Sequence, residues 1–309
     1  MVEAMVPGLR RWLLRVGLVY LLASLGTGVV LGEFALQRGR LPRNLGEARL
    51  RADAMASAHG ARIEAVRLTA ADGVPLAGWL FTRQAPGHGT VLVAHGSGGS
   101  RDHATPYAAF LLDAGFDVLA PDARGHGESG GFATYGVRET DDVQRWAAFI
   151  RRRRPDACVY ALGSSMGGAH VLMAEAGRPT FCAIVSDSAF ATFLDAGLDR
   201  VARPLGLGDI GRWVGRPAAY AGLGYVRIRY GVNLLDANPV AAIATIRAPL
   251  LLIHGGADRN TPPYHAEALA RAQPAARLWR VPGASHTASW RAEPRAYPAR
   301  IVAFFRDRG

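Results

Sequence analysis

The 309-residue chain contains no lysine, and all 36 of its basic residues are arginine. It has two cysteines and a single apolar stretch that approaches the thickness of a bilayer. Each shortage excludes something. Two cysteines are too few for a disulfide scaffold, and one apolar stretch is not a polytopic membrane protein. With 50% hydrophobic and 20% charged residues, the chain is not a disordered one. Its length allows one sizeable core, and α/β domains of about 250 residues commonly stay undivided. Without lysine, the net charge of +11 reflects the alanine- and arginine-rich usage of a GC-rich genome more than a polyanionic partner, and no nucleic-acid partner is expected. The densest basic block, Arg151 to Arg154, stands before Pro155. That is where cations suit the helix dipole and a proline ends the helix. Cys158 and Cys182 fall in apolar runs and are expected as buried free thiols, with the redox compartment left open.

The apolar stretch is Val16 to Gly32, preceded by Arg10, Arg11 and Arg15. At 1.5 Å per residue it spans roughly 25 Å as a helix, enough for a thin or locally adapted bilayer. An uncleaved membrane anchor, a cleaved signal peptide and a buried helix all share this layout, and no small-x-small cleavage site precedes Glu33. Orientation is open. The arginines before the span compete with Arg38, Arg40, Arg43, Arg49 and Arg51 after it. Residues 33–60 read as a linker carrying a short helix capped by Asn44 and ending near Gly60.

From residue 61 the pattern alternates strand and helix. Ile63–Leu68 and Leu76–Phe81 read as an antiparallel pair turning at Asp72-Gly73. Thr90–Ala94, Phe116–Ala120, Cys158–Leu162, Phe181–Val185, Leu250–Ile253 and Leu278–Val281 are short apolar runs of the kind buried on both faces of a parallel sheet. Helices are expected at Ala104–Ala114, Val137–Arg154, Met166–Ala176 and Ala296–Arg306. Such alternation means an α/β fold, a mostly parallel central sheet covered by helices on both faces. Function then sits at the carboxyl ends of the strands.

Gly-x-Ser-x-Gly occurs twice, around Ser165 and around Ser129. A nucleophile elbow needs a strand directly before the serine and a helix directly after it. Ser165 has both, whereas Ser129 lies in a glycine-rich loop. A serine also needs a base, and the base needs an orienting acid. Asp258 follows the run Leu250–Ile253, and His286 follows the last strand. Asp187 is the alternative acid. His95, His126, His254 and His265 are alternative bases, the first three reading as loop hydrogen-bonders. Two N–H groups should face the developing oxyanion: Met166, next to the serine, and Ser97 in the loop His95-Gly-Ser-Gly-Gly99, with Gly98 as the fallback. A phosphate-cradling reading of that loop lacks the Gly-Lys-Ser/Thr that would follow it.

These pieces, with Pro121-Asp-Ala-Arg-Gly-His-Gly-Glu-Ser-Gly-Gly131, resemble the α/β-hydrolase superfamily over residues 61–309, and within it the branch of serine aminopeptidase-like and membrane-anchored hydrolase-domain proteins. The resemblance implies an α/β-hydrolase fold with a small cap at about residues 190–240, preceded by a segment 1–32 that anchors or exports it. It gives the loop 122–131 a structural part. The function it implies is cofactor- and metal-independent hydrolysis of an ester, thioester or amide by Ser165, His286 and Asp258, most simply as a carboxylesterase or acyl-lipid hydrolase. A peptidase, a haloperoxidase or C–C hydrolase, and a non-catalytic membrane-anchored binding module are the alternatives. The expected partners are a small-molecule or acyl-lipid substrate and a membrane. Oligomeric state is open.

Overall fold

Apolar runs of five or six residues leave both faces of a strand to be covered, and the chain covers them with helices supplied between strands. The computed structural model describes residues 7–40, 44–85, 87–203, 206 and 208–307. Arg43 and positions 204, 205 and 207 of the expected cap lie outside the described residues.

The elements in chain order are α1 (Pro7–Gln37), α2 (Leu45–Ala58), β1 (Ala61–Thr69), β2 (Pro75–Arg83), β3 (Thr90–Ala94), α3 (Thr105–Asp113), β4 (Asp117–Pro121), α4 (Glu139–Arg153), β5 (Val159–Ser164) and α5 (Met166–Glu175). They continue with β6 (Ile184–Asp187), α6 (Phe193–Ala202), α7 (Gly208–Tyr230), α8 (Pro239–Ile243), β7 (Leu250–Gly255), α9 (Tyr264–Ala272), β8 (Arg277–Val281), α10 (Ser289–Ala292) and α11 (Ala296–Arg306). The eight strands form one sheet in the order β1-β2-β4-β3-β5-β6-β7-β8. β2 runs antiparallel to both its neighbours, β1 and β4, and from β4 across to β8 every pair is parallel. The expected α/β architecture is the one formed.

Strand alternation sorts the core into two layers. Val91 and Val93 face one layer, with Ala52 of α2, Leu111 of α3 and Ile301 and Phe305 of α11. Leu92 and Ala94 face the other, with Trp146 of α4, Leu172 of α5 and Leu269 of α9. Asn44 caps α2 by accepting the Glu47 N–H, as its position before the helix requires. Three of the arginines at the end of α4 are engaged: Arg153 pairs with Glu64, Arg154 with Asp117, and Arg151 donates to the Thr180 carbonyl.

Two expectations are corrected. Cys158 and Cys182 are not free thiols but a disulfide. They sit at the leading ends of neighbouring parallel strands β5 and β6, where the Cys182 N–H donates to the Val159 carbonyl and the two Cα atoms lie 5.8 Å apart, inside bridging range. Reading each cysteine inside its own run hides the adjacency that pairing creates. The N-terminal helix is also longer than the uncharged run. It spans 31 residues from Pro7 to Gln37, about 46 Å, because arginine and glutamate are good helix formers and no breaker stands at either edge. By length and composition it could cross a membrane.

A third apolar cluster lies over the carboxyl ends of the strands. It joins Leu36 of α1, Tyr135, Met166 of α5, Phe190, Ala196 of α6 and Val226 of α7. Leu36 is fully buried there.

Candidate active site

Ser165 stands between β5 and α5 with φ 53° and ψ −116°, a left-handed strained backbone for a residue with a Cβ. The turn turns sharply enough that its flanking residues must be glycine. A Cβ on Gly163 would stand 2.3 Å from the Gly167 carbonyl oxygen, and one on Gly167 would stand 2.2 Å from that of Ala94. The Ser165 N–H is held by the Asp187 carbonyl at 2.7 Å.

Asp258 leaves the end of β7 and is buried. Its Oδ1 accepts the backbone N–H groups of Asn260 (2.8 Å) and Thr261 (2.9 Å), so the carboxylate is held from behind. Its Oδ2 meets His286 Nδ1 at 2.7 Å. The opposite ring nitrogen, Nε2, lies 2.9 Å from Ser165 Oγ. His286 comes from the loop after β8, and Thr287 beyond it adopts φ 55° while its N–H reaches Ser188 Oγ at 3.2 Å. Three side chains from the ends of three strands thus form one continuous hydrogen-bonded chain, from a carboxylate through an imidazole to a hydroxyl.

The alternatives sit elsewhere. Asp187 is turned away, with its carboxylate accepting from Ser188 Oγ at 2.8 Å and the Tyr297 hydroxyl at 2.9 Å. Burial raises its pKa to about 6. His95 accepts the Ala123 N–H at 3.0 Å and donates to the Gly96 carbonyl at 2.8 Å; burial lowers its pKa well below the usual histidine value and keeps it neutral. His126 accepts the Gly98 N–H at 3.2 Å. His254 donates to the Thr261 carbonyl at 2.8 Å, and His265 bridges the Ala191 N–H and Asp199. Ser129 Oγ donates to the Asp122 carbonyl and accepts the Ala77 N–H, which ties its loop to β2.

The loop after β3 passes directly beside the serine, since a Cβ on Gly96 would lie 3.3 Å from that of Ser165. The Gly98 N–H is occupied by His126, which removes the fallback donor and leaves Ser97 next to the pocket. Met166 opens α5, where the first N–H groups have no intrahelical acceptor.

A cavity of about 540 Å³ opens over Ser165, Met166, Ser97 and His286. Phe190, Phe193 and Leu194 line it, as do Ala218, Leu223 and Val226 of α7, so the cap contributes most of the wall. Leu31, Gly32, Phe34, Ala35 and Arg38 also line it. The first four of these belong to α1 and Arg38 follows it directly, and nothing in a 17-residue apolar run indicates that the segment walls a cavity over a serine more than 120 residues away.

The mostly parallel sheet in the order β1-β2-β4-β3-β5-β6-β7-β8 agrees with what comparison finds. Residues 91–302 match the model of the alpha/beta hydrolase family. The chain belongs to that family. Protein YfhR of Escherichia coli K12, itself uncharacterized, is 30% identical over 72% of this chain and 73% of its own length. Among solved structures, this hydrolase fold is shared with the Pyrococcus furiosus esterase Pf2001, with a TM-score of 0.65 at 24% identity over 82% of this chain and 94% of that one. It is shared also with a Mycobacterium tuberculosis puromycin-hydrolyzing peptidase, with a TM-score of 0.63 at 18% identity over 81% of this chain and 40% of that one. At these identities the likeness concerns the fold.

Proposed function

We propose that this alpha/beta hydrolase is a serine hydrolase acting on an ester or thioester through an acyl-enzyme. The observation that carries the proposal is the hydrogen-bonded run Asp258–His286–Ser165 ending on a serine at φ 53°. In the proposed reaction Ser165 Oγ attacks the substrate carbonyl while His286 Nε2 takes its proton. The N–H groups of Met166 and Ser97 receive the oxyanion. His286 then protonates the leaving group, the acyl group stays on Ser165, and a water activated by the same imidazole releases it. Asp258 keeps the proton on Nδ1, so that Nε2 faces the serine as an acceptor. No step calls for a metal or cofactor.

Esters are preferred over peptides in this reading because the wall nearest the serine is largely apolar, with Phe190, Phe193, Leu194, Leu223 and Val226, although Arg38, Arg200, Arg203, Asn260 and Thr261 also reach the cavity. The esterase Pf2001 shares this fold, and so does the puromycin-hydrolyzing peptidase. Activity on acyl esters with none on aminoacyl amides would separate the two readings. A fluorophosphonate probe tests the mechanism: it should label the wild-type protein and fail to label Ser165→Ala. A folded wild type that takes no label would refute the reading, and label retained by Ser165→Ala would refute the choice of serine.

We also propose that α1 stays attached as an anchor. Its Leu36 is fully buried, the Tyr135 hydroxyl donates to the Ala35 carbonyl at 2.9 Å, and Glu33 accepts from Tyr225 and Tyr230 at 2.6 Å each. The Cys158–Cys182 disulfide favours an oxidising compartment, which would put the hydrolase domain on the exported side.

A further inference from the structure

We infer that α1 is a working wall of the acyl site, and that the substrate is a bilayer-resident amphiphile whose acyl chain enters the cavity from the membrane where the seam between α1 and α7 opens past Gly32. This rests on the serine-hydrolase reading above and adds the substrate class and its route.

The seam is built by two small-residue stripes. On α1 the buried positions are Ser24, Gly28, Gly32 and Leu36, four residues apart. On α7 they are Gly211, Gly215, Ala218, Gly222 and Val226. The two backbones touch: a Cβ on Gly28 would stand 2.5 Å from the Ala218 carbonyl oxygen and 2.6 Å from the Gly222 nitrogen. Tyr20 donates to the Val214 carbonyl at 2.5 Å, and Glu33 meets Tyr225 and Tyr230, so the helices run side by side in the same direction. Without side chains between them, close backbone packing substitutes for a hydrophobic driving force, as it does in lipid.

Beyond Gly32 the seam opens into the cavity over Ser165. Its lip on α1 is apolar on both sides. Leu31 and Phe34 line the cavity and are also 38% and 58% exposed. The same exposed surface continues down α1 through Leu25, Leu22, Leu21 and Leu18, the part long and apolar enough for a bilayer. On α7, Trp213 (71% exposed) and Ile210 (66%) are exposed too, beside the exposed Asp209 and Arg216. A free water-soluble substrate gives no reason for a large apolar lip continuous with the anchor, whereas an acyl chain already in the membrane meets no water on such a path. At the inner end Arg38 lies against Gly98 of the loop beside the serine, where α1 ends and a polar headgroup would emerge. The last two turns of α1 therefore belong to both the anchor and the site.

The full chain should be placed in phosphatidylcholine vesicles with a fluorogenic ester of long acyl chain. At constant ester concentration, adding phospholipid dilutes the ester within the bilayer. The rate should fall in proportion to its mole fraction there, and a rate that follows bulk concentration alone would overturn the inference. Leu31→Trp and Ala35→Trp fill the α1 wall. Each should lower kcat/KM for esters of ten or more acyl carbons at least 10-fold further than for acetate esters, with fluorophosphonate still labelling Ser165. Equal losses at all chain lengths, or none, would overturn it. Labelling that is intact in these variants shows that they fold and that the serine chemistry survives, so failure here is distinct from failure of the serine-hydrolase reading. Binding is read independently of turnover with Ser165→Ala and a diazirine-bearing fatty acyl ester. Crosslinks should map to residues 31–38 and 218–226, and crosslinks confined to other segments would overturn the inference.

Discussion

Replacing Asp258 by asparagine is the sharpest perturbation, because the structure dictates which way the new amide must face. Oδ1 of Asp258 accepts two backbone N–H groups, from Asn260 at 2.8 Å and Thr261 at 2.9 Å. Only the amide oxygen of asparagine can take over that position, since an NH₂ there would confront two donors. The NH₂ is therefore driven to the place of Oδ2, 2.7 Å from His286 Nδ1. Nδ1 must then accept, which moves the ring proton to Nε2. That nitrogen, 2.9 Å from Ser165 Oγ, becomes a donor and can no longer take the serine proton. A wrong tautomer of this kind costs about 10⁴ in kcat, or about 5.4 kcal/mol of transition-state stabilisation. The fold should hardly notice, because both backbone N–H groups keep their acceptor. Asp258→Ala differs: it leaves both groups without a partner in a buried site, at about 1–3 kcal/mol each. Ester hydrolysis and thermal unfolding measured on both variants should show an inactive Asp258→Asn with near wild-type Tm and an inactive Asp258→Ala with a lowered one. If Asp258→Asn keeps more than about a tenth of wild-type activity, the tautomer argument is wrong and Asp258 does not orient the base.

Three further outcomes are expected. Ser129→Ala should keep fluorophosphonate labelling and lose about 1–3 kcal/mol of stability, because the buried Ala77 N–H loses its acceptor; loss of labelling at unchanged stability would contradict the structural part given to that loop. Reducing the disulfide opens a link between residues 24 apart in sequence, worth about 3.4 kcal/mol of chain entropy, so a reductant should lower Tm by roughly 5 °C, and an unchanged melt would contradict the pairing. Burial raises the Glu175 carboxyl to about 7, so between its unfolded pKa and pH 7 the native state binds more protons than the unfolded one. Stability should fall as pH rises through that window. Glu175→Gln, which can still accept the Thr180 and Phe181 N–H groups now held by the carboxylate, should flatten that fall, as urea unfolding at pH 5 and pH 8 would show.

What could be read from the sequence alone was what local chemistry dictates. Short runs such as Thr90–Ala94 and Leu250–Ile253 are apolar at every position, which only a strand covered on both faces tolerates, and the alternation with helices then leaves little topological choice. Ser165 could be told from Ser129 because a strand before and a helix after are properties of neighbouring residues. Gly163 and Gly167 mark the elbow because the contacts that demand them, at 2.3 and 2.2 Å, arise within the turn or on the adjacent strand. Asp258 and His286 were singled out as candidates by their places after strands, which put them at one edge of the sheet.

The tertiary structure decided everything that depends on which distant surfaces meet. Cys158 and Cys182 look like two solitary thiols until β5 and β6 pair in parallel and bring their Cα atoms to 5.8 Å. Gly98 was the fallback donor to the oxyanion until His126, 28 residues on, took its N–H. The same holds for α1, whose composition marks a helix fit for a bilayer but is silent about its neighbour. Gly28 and Gly32 serve as well in a free apolar helix as in one pressed backbone to backbone on α7. Composition records how apolar a helix is, and only packing records which helix it closes against and which cavity the two enclose.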